Sequence, residues 1–376
     1  MKFKVSNTKL HAQLQILSRL IASRNSVPIL ESVLFEVRAG KLFLASSDGE
    51  NRLETWMDLD EQEGNDFSFA VKSAFLLEPL REIPEQIITF DINEADLNTV
   101  VSYLNGQFVY RAEAADQYPV MAPLREDAPS YAVPAKVLDE GIAYTLFATS
   151  QDKARPITTG ICVDAREDRL SFVGTDGFLL ALYSNSDVKV AAPVEFILSR
   201  KPSLLIRLLL QKLDPESLIN IHVGDKHTIM SCDEFTLRCS LIAGKYPNYR
   251  SVFPKEQANV LEVDRQKTVA ALRRVSMFSD KTLGMVELDL KANALRMCCR
   301  DIDYSTSADE YMDVSYSGED MIISFKINHL LDIFSTFDLS DTLQFKLGDK
   351  TAPGLVMPAS LPENVELKAM VMPLMR

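Results

Sequence analysis

The spacing of apolar residues changes repeatedly along the chain between a helical period and a strand period. The first helical stretch is marked by Leu10, Leu14, Leu17 and Ile21. It predicts an amphipathic helix over residues 8–24. Residues 33–37 and 41–44 are apolar-rich runs on either side of Ala39-Gly40, which is the pattern of a β-hairpin.

The same layout returns further along the chain. A second hairpin is predicted where residues 100–103 and 108–111 flank Asn105-Gly106, because Asn-Gly favours the tight turns that connect twisted strands. Helical periodicity also predicts further helices over residues 72–81, 135–149, 200–212, 265–278 and 326–337.

Three separate signatures recur with one period, which indicates an internal repeat. An aspartate after a short strand recurs at Asp48, Asp176 and Asp301, at spacings of 128 and 125. A basic residue that ends a short apolar strand recurs at Lys72, Arg200 and Lys326, at spacings of 128 and 126. The pair Tyr118-Pro119 returns as Tyr246-Pro247, again at a spacing of 128. The chain therefore consists of three copies of one unit.

The repeat predicts an α+β fold built from three tandem copies of a unit with two helices and antiparallel sheet. We place the domains at residues 1–125, 126–252 and 253–376. Proline-containing stretches at residues 123–134 and 251–257 are predicted linkers.

Composition places the chain among globular proteins of the cytoplasm. Hydrophobic residues make up 47% and charged residues 25% of its 376 residues, and no run of 18 apolar residues could span a membrane. The first residues enter a strand pattern directly and lack the apolar core of a signal peptide.

Cysteine and histidine positions predict no metal site and no cofactor. The five cysteines include the adjacent pair Cys298 and Cys299, and none forms a Cys-x-x-Cys motif. The four histidines fall in no ligand spacing. The cysteines are therefore expected to be small buried hydrophobes in a reducing compartment. No P-loop, dinucleotide fingerprint or hydrolase motif is present.

Charge is segregated, although the chain as a whole is acidic with a net charge of −13. The six predicted helices together carry +11, so the rest of the chain carries −24. A basic helical surface on an acidic body can hold phosphates by Coulomb attraction without reading bases. The alternative is that these charges simply face solvent.

The residues now described resemble the bacterial DNA sliding clamps, the β subunits of replicative DNA polymerases, over the full chain. The order and spacing of several short segments carry this resemblance. They are Arg24 with residues 27–30, residues 155–157 with Gly160, residues 174–178, 245–250 and 315–318, and residues 371–373.

The resemblance implies a non-enzymatic processivity factor with the DNA clamp fold. Two copies would associate head to tail into a six-domain ring, with helices inside and sheets outside, around double-stranded DNA of any sequence. Ring closure would be heterologous, the first domain of one copy against the third of the other. The implied partners are the clamp loader, the α subunit of the replicative polymerase and other proteins that carry a short clamp-binding peptide.

Specific positions follow from the same resemblance. Matching positions for DNA contact are Arg24, Gln151, Arg200 and Lys201, and the charge count adds Lys72, Arg155, Arg207, Arg273 and Arg274. The ring joint would place Phe108 and Tyr110 against Met277 and Phe278 of a second copy. The alternatives are solvated surface for the basic residues and ordinary core packing for the joint.

A pocket for partner peptides is implied between the second and third domains. Its matching residues are Thr158, Thr175, Phe178, Leu179, Leu180, Pro247, Val252, Met370, Met372, Pro373 and Leu374. Methionines suit a surface that accepts several related peptides. Leu179 stands where the family commonly has arginine, and residues 372–376 depart from the family's usual tail. The pocket wall is therefore expected to be more apolar. The alternative is a C-terminal strand that only packs.

Two other functions stay open on the sequence alone. Asp301 and Asp303 could bind a divalent cation in a metal-dependent enzyme. The recurrence of an aspartate in all three units instead favours a structural role, because a carboxylate in a turn accepts hydrogen bonds from nearby backbone N–H groups. The chain could also be a repeat scaffold that binds only proteins.

Overall fold

The chain forms two compact units, each assembled from two separate segments. The computed structural model describes residues 1–21, 27–121, 123–125, 127–254, 257–280, 282 and 284–374. The first unit contains Met1–Ala135 and Leu204–Leu241, and the second contains Lys136–Ser203 and Ile242–Arg376. The central third of the chain is thus divided between the units.

Helices of the described chain begin close to where the predicted apolar faces begin. They are α1 (Asn7–Leu17), α2 (Ala74–Glu82), α3 (Ala135–Leu146), α4 (Arg200–Leu210), α5 (Arg265–Ser276) and α6 (Ile327–Thr336). Side-chain N-caps are seen at α1 and α5: the Ser6 hydroxyl accepts the Lys9 N–H, and the Asp264 carboxylate accepts the Lys267 N–H at 2.8 Å. Such caps satisfy donors that a helix start leaves unpaired.

Strands make up most of the remaining structure. In the first unit they are β1 (Lys2–Ser6), β2 (Ser32–Arg38), β3 (Lys41–Ser47), β4 (Arg52–Asp58), β5 (Glu61–Glu63), β6 (Phe67–Lys72), β7 (Ile87–Ile92), β8 (Asn98–Tyr103), β9 (Gly106–Arg111), β10 (Glu113–Ala114), β11 (Ser130–Pro134), β16 (Leu218–Val223), β17 (His227–Ser231) and β18 (Phe235–Ser240). In the second they are β12 (Gly160–Ala165), β13 (Leu170–Thr175), β14 (Leu179–Asn185), β15 (Val194–Ser199), β19 (Asn259–Asp264), β20 (Met285–Lys291), β21 (Ala294–Asp301), β22 (Thr306–Asp313), β23 (Ser315–Ser317), β24 (Met321–Lys326), β25 (Thr342–Leu347), β26 (Gly354–Pro358) and β27 (Val365–Val371).

Each unit contains one nine-stranded and one smaller antiparallel sheet. In the first unit the orders are β10-β6-β2-β3-β4-β18-β17-β16-β11 and β5-β1-β7-β8-β9. In the second they are β15-β12-β13-β14-β27-β26-β25-β19-β23 and β22-β21-β20-β24. Each large sheet therefore continues across a predicted domain boundary, through the pair β4–β18 in one unit and β14–β27 in the other.

Aromatic side chains fill the core of the first unit. Phe3 and Phe90 stack at 4.8 Å between ring centroids, and Phe35 and Phe69 stack at 5.1 Å. All four are fully buried. Residues on one face of a strand alternate with those on the other, so these phenylalanines belong to the inner faces of both sheets. They hold the sheets together through buried apolar area.

The α+β architecture and both predicted hairpins are confirmed. Ala39 and Gly40 connect β2 to β3 with φ angles of 50° and 74°, which suit a left-handed turn. The predicted first linker is partly wrong: its residues 130–134 form β11, because their backbone pairs with β16. No helix among the described residues has the length and apolarity needed to cross a bilayer.

Several helices end before their predicted last residue, because the chain there forms turns whose hydrogen bonds join residues three apart instead of four. After α1, the N–H groups of Arg19 and Leu20 bond to carbonyls three residues back, and after α4 Lys212 does the same. With the observed bounds the six helices carry +5 in place of +11. The helical excess persists, but it is smaller and is concentrated in α4 and α5.

Candidate functional sites

A tight turn after β13 presents the candidate pocket residue Phe178. The Thr175 hydroxyl donates to the Leu179 carbonyl at 2.7 Å, and Asp176 Oδ1 accepts the N–H groups of Phe178 and Leu179 at 2.8 and 2.7 Å. Gly177 has a φ of 95°, which a residue with a Cβ adopts only with strain. The turn leaves Phe178 62% exposed, so its ring is available to a ligand.

The same turn is tied to α6 through His329, which is buried. Its Nε2 lies 3.2 Å from Asp176 Oδ2. Burial favours a raised pKa for Asp176, but hydrogen bonds from His329 and from the two backbone N–H groups outweigh it and lower this pKa. Sequence reasoning missed His329 because it lies far from Asp176 along the chain and belongs to no motif. Only the three-dimensional structure brings the two together.

The candidate tail residues lie beside this turn. β27 pairs with β14 so that Met370 is opposite Leu180, and both are buried in one apolar cluster with Tyr246 and Tyr249. Beyond β27, the Met372 N–H donates to the Phe178 carbonyl at 2.8 Å. The Leu374 N–H donates to the Ser324 carbonyl at 2.8 Å. The tail is thereby held against the turn.

Together these residues give an apolar floor with an exposed apolar rim, all within the second unit. Thr175, Leu180 and Met370 are buried, whereas Val252 is 45% exposed. Pro247 is exposed, and Thr158, Met372, Pro373 and Leu374 are half-buried. This division suits a ligand that buries large apolar side chains on a preformed surface.

Leu179 is separated from the other candidate pocket residues. It is 2% exposed, and as the neighbour of Leu180 in β14 it points to the opposite face of the sheet. That face carries Tyr183, whose ring stacks on Tyr144 of α3 at 5.8 Å. This placement favours a role in the core for Leu179.

Several candidate DNA contacts already have partners within their own unit. Lys72 ends β6 and lies 3.8 Å from Glu31. Arg200 donates to the Leu146 carbonyl at 3.2 Å and to the Thr149 hydroxyl. These bonds hold the guanidinium at the start of α4.

The remaining basic candidates differ in their surroundings. Arg274 forms a two-point ion pair with Glu310 of β22, at 2.5 and 3.1 Å, which favours a role beside that strand. The other side chains are exposed or half-buried: Gln151, Arg155, Lys201, Arg207 and Arg273. Arg24 lies outside the described residues.

A groove on the helices of the first unit supplies basic residues that sequence reasoning left out. It has a volume of about 710 Å³ and is lined from α1, α2 and the end of α4. Arg19, Arg81 and Lys212 line it. Arg81 also pairs with Glu78 at 2.7 Å. The excess of basic residues in the predicted helices indicated a positively charged helical surface, but it could not identify a groove.

The candidate joint residues lie at strand edges and a helix end. Phe108 and Tyr110 project from β9, an edge strand of its five-stranded sheet, and their rings stack at 6.2 Å. The Tyr110 hydroxyl has no hydrogen-bond partner in the described structure, and burial strongly raises its pKa. Met277 and Phe278 follow α5 and are 79% and 42% exposed.

The recurring aspartates stabilise turns. Asp48 Oδ1 accepts the Asn51 N–H at 2.7 Å, and Asp301 Oδ1 accepts the Tyr304 N–H at 3.1 Å, as in the turn at Asp176. Asp303 is exposed. Among the residues described, no three His, Cys, Asp or Glu side chains are grouped as metal ligands. The structural role predicted from the repeat is confirmed for these carboxylates.

Comparisons with known proteins agree along the whole chain. Three family models match in order: the DNA polymerase III beta subunit N-terminal domain over residues 1–122, its central domain over 132–248 and its C-terminal domain over 250–375. The beta sliding clamp of Synechococcus elongatus is 26% identical over 385 aligned residues, covering 100% of this chain and 99% of the relative. That of Pseudomonas putida is 26% identical and covers both chains completely.

Solved structures show the same fold. The DNA polymerase III subunit beta from Pseudomonas aeruginosa superposes with a TM-score of 0.90 at 24% identity, covering both chains completely. The subunit from Thermotoga maritima gives 0.89 at 22% identity, covering 100% of this chain and 99% of that one. A P. aeruginosa sliding clamp bound to griselimycin gives 0.92 at 24% identity, again with complete coverage. On the strength of the three consecutive domain matches, this chain belongs to the DNA polymerase III beta subunit family and has the DNA clamp fold.

Proposed function

We propose that the chain is the sliding clamp of a bacterial replicative DNA polymerase, a non-catalytic subunit that holds the polymerase on duplex DNA. The observation that carries this proposal is the succession of three beta-subunit domains that together account for nearly all of residues 1–375. The domain boundaries predicted from the repeat, at residues 125/126 and 252/253, are kept as part of the proposal. So is a cytoplasmic location.

Two copies would close into a ring through strands that end their sheets. β9 and β22 are each the last strand of a sheet in the described structure, and an unpaired edge can accept a further strand. β22 carries three acids, Asp309, Glu310 and Asp313, whereas β9 carries Arg111 and no acid. Opposite charges favour β9 of one copy beside β22 of the other. Phe108 and Tyr110 would then meet Met277 and Phe278 of the second copy.

DNA would be held without sequence preference. Basic side chains from α4 and α5 and from the groove lined by Arg19 and Lys212 would contact phosphates, whose positions carry no sequence information. The net charge of −13 opposes adhesion of DNA to the rest of the surface. Retention would therefore depend on enclosure more than on adhesion.

Partner proteins would bind through a short peptide with a glutamine and two large apolar side chains. The exposed Phe178 ring and half-buried Met372 would contact the apolar pair above the floor formed by Leu180 and Met370. The clamp loader and the polymerase α subunit are the proposed partners. A scaffold that binds only proteins would share this pocket but would not retain DNA.

Retention on circular DNA tests the proposal. The purified protein is loaded with a clamp loader onto nicked circles, and the complex is separated from free protein by gel filtration before and after the DNA is linearised. A ring stays on the circle and slides off the linear molecule. Equal retention on both forms would mean ordinary adhesion, and no retention on either form would favour the protein-only scaffold.

A further inference from the structure

The first unit contains a counterpart of the proposed peptide pocket. In the second unit β14 pairs with β27, with Leu180 opposite Met370. In the first unit β4 pairs with β18 in the same way, with Arg52 opposite Arg238. Arg52 precedes Leu180 by one period of the repeat. The two strand junctions are therefore equivalent positions of the repeated domain.

The turns beside the two junctions also correspond. The Ser47 hydroxyl donates to the Asn51 carbonyl at 2.8 Å, as Thr175 does to Leu179. Gly49 has a φ of 90°, close to that of Gly177. The Ser240 hydroxyl donates to the Glu50 carbonyl at 2.7 Å; at the equivalent place in the second unit the Met372 N–H donates to the Phe178 carbonyl. The backbone framework of a pocket is thus present twice.

A buried tyrosine makes a corresponding hydrogen bond in each unit. The Tyr118 hydroxyl donates to the Ala45 and Ser32 carbonyls at 3.5 and 3.3 Å. Tyr246 donates to the Val173 carbonyl at 3.3 Å, and Val173 follows Ala45 by one period of the repeat. Burial raises the pKa of Tyr118 to about 12, so its hydroxyl remains a donor.

The side chains at the first junction have different chemistry, because two arginines replace the apolar pair. Arg52 is held by Glu54 at 2.6 Å and by the Pro119 carbonyl at 3.2 Å. Arg238 is 9% exposed, and its Nε is buried without a hydrogen bond. Within the described structure its guanidinium has no ion pair either. Like charges directly opposite each other in a sheet destabilise it, so an unpaired Arg238 lowers stability.

Both arginines line a cleft of about 490 Å³. Its apolar lining includes Tyr118, Val120, Met121 and Ile229, and Ile229 is directly opposite Arg238 in β17. The acidic residues Glu36, Glu54 and Asp116 also line it, and Glu54 is already paired with Arg52. They would oppose a multiply charged ion, whereas a single carboxylate next to an apolar side chain satisfies Arg238 and covers the apolar lining.

We propose that this cleft binds an extended segment of a partner protein in which one carboxylate side chain, paired with Arg238, is flanked by large apolar side chains. The clamp would then recognise two kinds of peptide at equivalent places, an apolar one in the second unit and an acidic-apolar one in the first. The inference rests on the proposed peptide pocket only for this analogy. The buried Arg238 Nε without a hydrogen bond is an observation independent of it.

Methyl NMR on the full-length protein separates the two sites. The Ile229 and Met121 methyl groups report on the cleft, and those of Met370 and Met372 report on the peptide pocket. The probes are the blocked peptide Leu-Glu-Leu-Phe, its glutamine counterpart Leu-Gln-Leu-Phe, and inorganic phosphate. We expect the Glu peptide to shift the cleft methyls and to bind there at least about tenfold more tightly than the Gln peptide, since charge-assisted hydrogen bonds exceed neutral ones.

Arg238→Met is the decisive variant, because methionine stands at the equivalent position 370. It should weaken binding of the Glu peptide about tenfold or more, and its melting temperature should be no lower than that of the unaltered protein, since an unpaired buried cation is removed. Unchanged binding, or a lower melting temperature with the peptide response intact, would give Arg238 a structural role and overturn the proposal. If inorganic phosphate bound the cleft as tightly as the Glu peptide does, the cleft would attract anions only adventitiously, and the proposal would be wrong.

The second-unit methyls test the peptide pocket separately. A Gln-x-x-Leu-Phe peptide should shift Met370 and Met372 and leave Ile229 unaffected. If those two methyls do not respond, the peptide pocket is misplaced. The proposal for the cleft is tested independently, by whether the Ile229 methyl group responds to the Glu peptide.

Discussion

Single residues in this chain show how local chemistry and distant contacts combine. The turn role of Asp176 was predictable, because the carboxylate recurs with the repeat and bonds to N–H groups two and three residues away. Its hydrogen bond with His329 was not predictable, because nothing in the local sequence of α6 points to a partner in the middle of the chain. The buried position of Leu179 was missed for a similar reason: both faces of β14 are covered, so no alternation marks the pocket side.

The lowered pKa of Asp176 gives a pH-dependent stability. Because the folded pKa lies below the ordinary value of 3.8, the stabilisation is complete at neutral pH and is lost as the pH falls through the folded pKa. Asp176→Asn should therefore lower the free energy of unfolding by about 1–3 kcal/mol at pH 7, with the difference starting to shrink near pH 3.8 and disappearing only below the folded pKa. Urea unfolding of both proteins over a pH series measures it.

Asp303→Asn is the matched control for that series, since Asp303 is exposed. It should leave the free energy of unfolding unchanged at every pH. A constant gap between Asp176→Asn and the unaltered protein down to pH 2 would show that the charge of Asp176 does not contribute.

Helices and strands form where the sequence predicts them when the signal lies in neighbouring residues. Both hairpins form where Ala39-Gly40 and Asn105-Gly106 predicted turns. The segment that was predicted wrongly is β11, whose proline content resembled a linker. Pro134 is tolerated because β11 ends its sheet, and an edge strand can lack one donor. Its partner strand begins only at Leu218, beyond the reach of any local signal.

Removing the segment after β27 should weaken the proposed peptide binding without separating the proposed dimer. Deletion of residues 372–376 removes the Met372 side chain and the hydrogen bond from the Met372 backbone N–H to the Phe178 carbonyl. We expect a loss of about 2 kcal/mol or more, which is about thirtyfold in affinity. Fluorescence anisotropy with a labelled Gln-x-x-Leu-Phe peptide measures the change, and sedimentation checks the assembly. Equal binding by both proteins would mean that this segment only packs.

Charged residues at the end of α5 should produce a folded monomer. Met277→Glu with Phe278→Glu would bury two charges against the Phe108 and Tyr110 rings of the second copy, which is costly without a partner for each charge, and removes apolar area from the joint. Both side chains are largely exposed within one copy, so the melting temperature of the monomer should change little. Sedimentation equilibrium decides the assembly state. Leu218→Glu, at a residue 58% exposed elsewhere, is the control and should stay dimeric; a dimeric Met277/Phe278 variant would exclude these residues from the joint.

At the scale of the whole molecule, the repeat predicted three domains but not the way in which their sheets join. The pairs β4–β18 and β14–β27 connect strands that lie far apart in the sequence. The central third of the chain therefore contributes strands to both nine-stranded sheets. Composition and periodicity identify strands and their faces, but pairing across such distances depends on the folded arrangement of the whole chain.

DNA retention should depend on salt through the basic surface of the molecule. Replacing Arg24, Arg200 and Lys201 by alanine should reduce loading and lower the salt slope of DNA binding by roughly 3, since each lost phosphate contact contributes about 0.9. Loading assays over a salt series measure both. The control replaces Lys41, Arg125 and Lys291, which are exposed outside the helices. If both triple variants lose the same amount, only overall charge matters.

The pairing of β14 with β27 also affects how the protein is made. A ribosome synthesises Asn185 long before its partner Val365, with a delay of roughly 10–40 seconds at ordinary elongation rates. During that interval a strand that is buried along its whole length in the finished protein has an unpaired edge. Such an edge is a template for association between nascent chains. Translation pauses between these two strands should therefore lower the yield of native clamp, and a chaperone that shields the waiting edge should restore it.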